Sequence, residues 1–227
     1  MTASTPAAAP LWNIDPKRAM LHTAWLSVIL GCLIELVLLG LAVAGTSLPS
    51  LMPFVADLFQ KVPWSVIVCV GLAFGRAASK ANPVWTGLSG LLAAPTGFMV
   101  ARALHKGAKS GLGVAEAAIA APSPLLVAGI KGIQYLCLAL LVAWLVKKGR
   151  VTLPGHLAAG LAVGAVFGGS LVVLMINAAG PGALTPVALL SRVVSEVFFP
   201  VGCAAVLYAS DVMSKRPDAA PAPSAAA

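Results

Sequence analysis

The chain has 227 residues, 59% of them hydrophobic and only 10% charged, with a formal net charge of +8 and a mean hydropathy of +0.96. A soluble domain carries charge on roughly a quarter of its residues, so this composition excludes a water-soluble enzyme or nucleic-acid-binding domain and places the chain in a membrane. One bilayer span takes about 20 apolar residues, so the length accommodates about six spans with short loops and no second, soluble domain.

Residues 1–18 read as a low-complexity Ala/Pro lead and residues 211–227 as a matching tail, which leaves 19–210 as the transmembrane domain. The first span runs from about Ala19 to Ala44 behind Lys17 and Arg18. Its "AVA" at Ala42–Ala44 has the form of a signal-peptidase site, but the apolar core is long and contains Glu35, which favours an uncleaved helix. The next stretch, "TSLPSLMPFVADLFQK", has Leu51, Phe54, Val55, Leu58 and Phe59 at helical spacing with a polar back, the pattern of a helix lying flat in the interface. The second span, about Val62 to Gly75, is short and places Trp64 at the headgroup level. The third, about Val84 to Ala101, contains Pro95 and begins at Trp85.

A basic loop, "RALHKGAKSGLG", follows, and its Arg102, Lys106 and Lys109 are candidate contacts for lipid headgroups. Pro122 and Pro124 argue against a single straight helix over Val114–Gly129. The remaining spans are about Leu125–Val146, closed by Lys147, Lys148 and Arg150, then about Leu157–Ala178 and about Val187–Ala209. The predicted architecture is all-α: a polytopic bundle of about six spans with an interfacial amphipathic helix after the first.

In this arrangement Lys17, Arg18, Arg76, Lys80, Lys147, Lys148, Arg150, Lys215 and Arg216 fall on one side, while the uncharged "AGPGALTP" before the last span falls on the other. By the positive-inside rule both termini are cytoplasmic. The basic loop at Arg102–Lys109 disobeys. The alternative topology makes Val84–Ala101 re-entrant and lets Val114–Gly129 cross instead. The Ala-rich ends and high Gly content suit a bacterial inner membrane.

Glu35 lies nine residues before Ala44, roughly 13 Å below the outer surface at 1.5 Å per residue. Glu196 lies nine residues after Val187 and Gln134 nine after Leu125, at the same depth. Lys131 and Arg192 sit about one turn further out, and Arg192 with Glu196 makes an i, i+4 pair of opposite charge. A charge at mid-bilayer costs about 3 kcal/mol or more, so it faces protein or water and has a partner. Glu35, Lys131, Gln134, Arg192 and Glu196 are therefore the candidate intramembrane polar site. The readings open to it are a functional ion or proton site, a structural polar network, and unrelated residues that snorkel or protonate.

Glycines repeat at four-residue spacing, Gly71 and Gly75 on the second span and Gly160, Gly164 and Gly168 on the fifth. Such faces let helix backbones approach closely, within the chain or against another subunit. A faint internal echo relates Leu21–Lys80 to His156–Lys215, with His22 and Cys69 recurring as His156 and Cys203; it is either a repeat of the kind transporters contain or a chance likeness of apolar segments. The four cysteines sit in different apolar runs without metal-ligand spacing, so neither a disulfide framework nor a zinc site is expected. "GAKSGLG" lacks the phosphate-loop core, Ser170 in "GGSL" has no suitable His, and His22, His105 and His156 lie near span ends rather than paired for haem. No enzyme activity, cofactor, metal or nucleic-acid partner is expected. Two functions remain: a small transporter or channel using the midplane polar layer, or a non-catalytic accessory or assembly subunit packing through its glycine faces. The expected partners are membrane lipids and, in either case, other membrane subunits or further copies of the chain.

Overall fold

A computed structural model describes residues 15–45, 51–78, 83–115 and 120–215. The lead before Asp15, the tail after Lys215, Lys80 and Arg216 lie outside the described residues. Among the described residues, six helices are each long and apolar enough to cross a membrane: α1 (Pro16–Gly45), α2 (Leu51–Ala78), α3 (Pro83–Gly111), α4 (Pro124–Lys147), α5 (Leu153–Ala179) and α6 (Pro186–Met213). This is the expected six-span helical bundle, a multi-pass integral membrane protein.

Local chemistry sets the helix ends. Thr152 Oγ1 accepts from the Gly155 N–H at 3.3 Å and Thr185 Oγ1 from the Ala188 N–H at 3.2 Å, each cap followed by a first-turn proline whose missing N–H costs nothing there. At the other end of α5, Gly180 adopts φ +86°, a left-handed conformation that stops the helix and suits glycine. Sequential neighbours α1–α2, α2–α3 and α3–α4 pack together, and α6 closes the bundle against α1, α5, α2 and α4. The core between them holds Trp64, Val68, Leu72, Tyr135, Leu138, Val142, Phe199 and Leu207.

Several sequence expectations change. The stripe from Leu51 to Lys61 is helical but is not a separate interfacial element: α2 runs unbroken for 28 residues, through Pro63. Its polar back has partners on α3 and α6, since Lys61 Nζ donates to Ser195 Oγ at 3.0 Å and His105 Nε2 meets Asp57 Oδ1 at 2.8 Å, both contacts being half-buried. Trp64 consequently leaves the headgroup level for the core, edge-on to Tyr135 and Phe98 and tilted against Phe199. Trp85, at the start of α3, is exposed. Arg102, Lys106 and Lys109 are not in a loop, because α3 continues through Pro95 to Gly111 as one crossing rather than a re-entrant dip. The helical bundle also extends past 19–210: α1 begins at Pro16, and α6 reaches Met213 because Asp211 pairs with Arg76 of α2.

Both α5 and α6 contain one wider π turn, at Gly164–Gly168 and Val194–Phe198. They meet through the glycines of α5. A Cβ on Gly160 would stand 2.6 Å from Val201 Cα, and Cβ atoms on Gly164 and Gly168 would collide with the Val197 and Glu196 carbonyl oxygens. On α2, Gly71 faces Ala93 and Gly75 faces Ser89 of α3. A methyl at Gly169 meets nothing within 4 Å. Gly168→Ala should therefore lower the melting temperature in detergent sharply, since the clash is with backbone that cannot step aside. Gly169→Ala should leave it unchanged or raise it, alanine being about 1 kcal/mol the better helix former; equal losses for the two variants would refute this packing.

Candidate functional site

A buried ion pair joins α4 to α6. Lys131 Nζ and Glu196 Oε2 lie 2.6 Å apart with both side chains 9% exposed. The Lys131 ammonium also stands 4.9 Å from the centre of the Trp64 ring and 6.0 Å from that of Phe98, so aromatic faces cover the charge that the carboxylate does not. Gln134, nearly one turn on from Lys131, directs Nε2 at the Glu196 carbonyl oxygen at 3.5 Å, while its Oε1 is buried without a partner. Glu196 sits in the π turn of α6, where the wider winding alters the facing of side chains and leaves the backbone ladder irregular.

Of the five residues expected to share the layer, three come together: Lys131, Gln134 and Glu196. Glu35 is at related depth but on another seam. It is 4% exposed, one turn beyond Gly31, where an added Cβ would stand 2.8 Å from Val62 Cα and 3.1 Å from the Lys61 carbonyl oxygen of α2, and its Oε2 has no hydrogen-bond partner among the described residues. Arg192 does not join the cluster. It is exposed and makes no ion pair among the described residues, because the π turn that follows it rotates Glu196 off its face and toward Lys131.

Sequence reasoning missed Lys61, Ser195 and Gln60. All three line a small cleft with Lys131, Glu196, Trp64, Phe98, Ala101 and Phe199, built from α2, α3, α4 and α6. The signal for Lys61 was present, since Asp57 and Lys61 stand at i, i+4 in a stretch that continues without a break into apolar residues. A second polar layer lies toward the opposite end of the bundle, where the Arg76–Asp211 pair joins α2 to α6 and His22 Nδ1 meets Ser214 Oγ at 2.9 Å. His156, fully buried, donates from Nδ1 to the Thr152 carbonyl at 2.9 Å, and this leaves Nε2 as an unpartnered acceptor near Tyr208. Between the layers, Cys69 and Cys203 touch sulfur to sulfur at 3.2 Å as free thiols, and Cys32 and Cys137 are also free. No group of three metal-ligating side chains occurs among the described residues.

No family model, curated protein or solved structure matches this chain.

A buried pair is strongly sensitive to removal of one member, because the survivor keeps its desolvation cost without its partner. Lys131→Met alone should destabilise the purified protein by about 3–5 kcal/mol, read as loss of melting temperature in detergent. Lys131→Met combined with Glu196→Leu should recover most of that loss. A double variant as unstable as the sum of the singles would show that the two charges do not depend on each other.

Proposed function

We propose that this protein is a small transporter that passes a solute through the cleft between α2, α3, α4 and α6, with Lys131 and Glu196 as its central pair. The observation that carries the reading is the placement of Lys61, Lys131, Ser195 and Glu196 around one cleft within the apolar bundle, beside a π turn, a feature that recurs at functional sites. Charge at that depth is costly and in membrane proteins marks solute or proton pathways. The halves of the chain add support: α2 and α6 are each 28 residues long, and Lys61 with Ser195 and Cys69 with Cys203 touch at one common offset of 134 residues. Equivalent positions meeting across a seam is the geometry of parallel repeats, a plan common among transporters.

The accessory-subunit reading draws less support, because Gly71, Gly75, Gly160, Gly164 and Gly168 already face helices of the same chain. The protein acts without covalent chemistry and sits in a bacterial inner membrane. The bundle end that carries Lys17, Arg18, Arg76, Lys147, Lys148 and Lys215, and with them both described termini, faces the cytoplasm. Arg102, Lys106 and Lys109, at the far end of α3, meet lipid headgroups on the other side.

Purified protein reconstituted into liposomes should support solute flux above protein-free vesicles across a panel of labelled organic anions, amino acids and inorganic ions. Glu196→Gln, inserted to the same level, should reduce that flux at least ~10-fold, the scale of a lost charge-assisted contact of 1.4 kcal/mol or more. Absence of flux for every solute, together with stoichiometric partners in a mild-detergent extract of native membrane, would overturn the transporter reading in favour of an accessory subunit.

A further inference from the structure

Among the described residues, two other cations inside the bundle each have their own carboxylate: Arg76 has Asp211 and Lys131 has Glu196. Lys61 forms no ion pair among the described residues, and its one hydrogen bond goes to a neutral hydroxyl, Ser195 Oγ, at 3.0 Å. An ammonium has three donors. The remaining two belong to a side chain that lines the cleft, beside the Gln60 amide, across from Trp64, Phe98 and Phe199.

The cleft therefore holds one ammonium without an ion pair among the described residues, two neutral hydrogen-bonding groups and an aromatic wall. A monoanion matches the single charge, because the charge of Lys131 is already taken by Glu196. The aromatic wall selects against strongly hydrated inorganic anions and suits a short apolar body, the usual division of labour in a small-molecule site. A carboxylate also receives donors from more than one direction, which Lys61, Ser195 and Gln60 supply.

Glu35 lies one turn beyond Gly31, the point at which α1 packs on the Lys61 and Val62 backbone; its Oε2 is buried without a hydrogen-bond partner among the described residues, and it is not part of the cleft lining. The charged groups acting on it are Asp57 and Lys61, while Lys61 also feels Glu196, Lys131 and Arg192. An ionised Glu35 offsets part of the Lys61 charge; a protonated one leaves that charge to whatever enters the cleft.

We propose that Lys61 is the binding site for a small organic monocarboxylate and that Glu35 couples its occupancy to a proton, so that anion and H⁺ bind together. Movement of the two across the membrane rests on the transport reading above; the binding does not. By linkage the anion binds more tightly as the pH falls through the titration of Glu35, and binding of the anion draws a proton onto Glu35.

The probe is propionate, with sulfate as the comparison anion, titrated calorimetrically into the detergent-purified protein at about pH 6 and about pH 8, where propionate stays ionised. Wild type should bind propionate about 5-fold or more tightly at the lower pH, the lower end of common coupling factors, and should bind sulfate far more weakly. Lys61→Gln should lose binding, whereas Lys61→Arg, which keeps the charge, should retain it. Glu35→Gln should bind propionate equally well at both pH values, near the wild-type affinity at low pH. Propionate binding that survives Lys61→Gln, sulfate binding as strong as propionate binding, or a pH dependence that persists in Glu35→Gln would each overturn the proposal. Binding without flux in proteoliposomes would remove the transport reading and leave this one standing. Flux of another solute with no propionate binding would do the reverse.

Discussion

An ammonium and a carboxylate 2.6 Å apart, sealed between α4 and α6 under the rings of Trp64 and Phe98, set the terms on which the bundle packs. Neither charge can stand at that depth alone, so α4 and α6 have one permitted register and rotation relative to each other. The π turn at Val194–Phe198 turns Glu196 to that position. The glycines of α5 then let that helix lie directly on the backbone of Glu196 and Val197. A helix face of small residues is thus the complement of a charge on the next helix, two features that seem unrelated in the linear sequence.

Most of the fold was legible because the bilayer imposes so strong a filter on composition. Six apolar runs became six spans, and the prolines at Pro124, Pro154 and Pro186 fall in first turns where a missing N–H is harmless. The boundary of α2 was not legible in the same way. Gln60 and Lys61 resemble the polar back of a surface helix, and only the residues of α3 and α6 that share their cleft, dozens of positions away, reveal that they face inward. That one misplaced boundary also moved Trp64 from the core to the headgroups.

Depth counting along each span brought Gln134 and Glu196 to one level with Lys131 about a turn away, since rise per residue is the same in every helix. It gave no information on rotation. Arg192 and Glu196 stand at the spacing of a same-face pair, yet one wide turn separates them, and no residue in "VSEVF" announces that turn. Glu35 was placed at related depth but belongs to the α1–α2 seam, where Gly31 packs on the backbone of Lys61 and Val62. The polar site is therefore better described as two seams, with Glu35 on one and Lys61, Ser195 and the Lys131–Glu196 pair on the other, than as a single layer.

The contact of Cys69 with Cys203 has a use beyond packing. Two thiols at 3.2 Å on parallel helices α2 and α6 form an internal displacement gauge: a slide of one helical turn, about 5.4 Å, would carry the sulfurs out of reach of each other. Crosslinkers of graded span could then report any sliding of α2 against α6, with no residue introduced for the purpose.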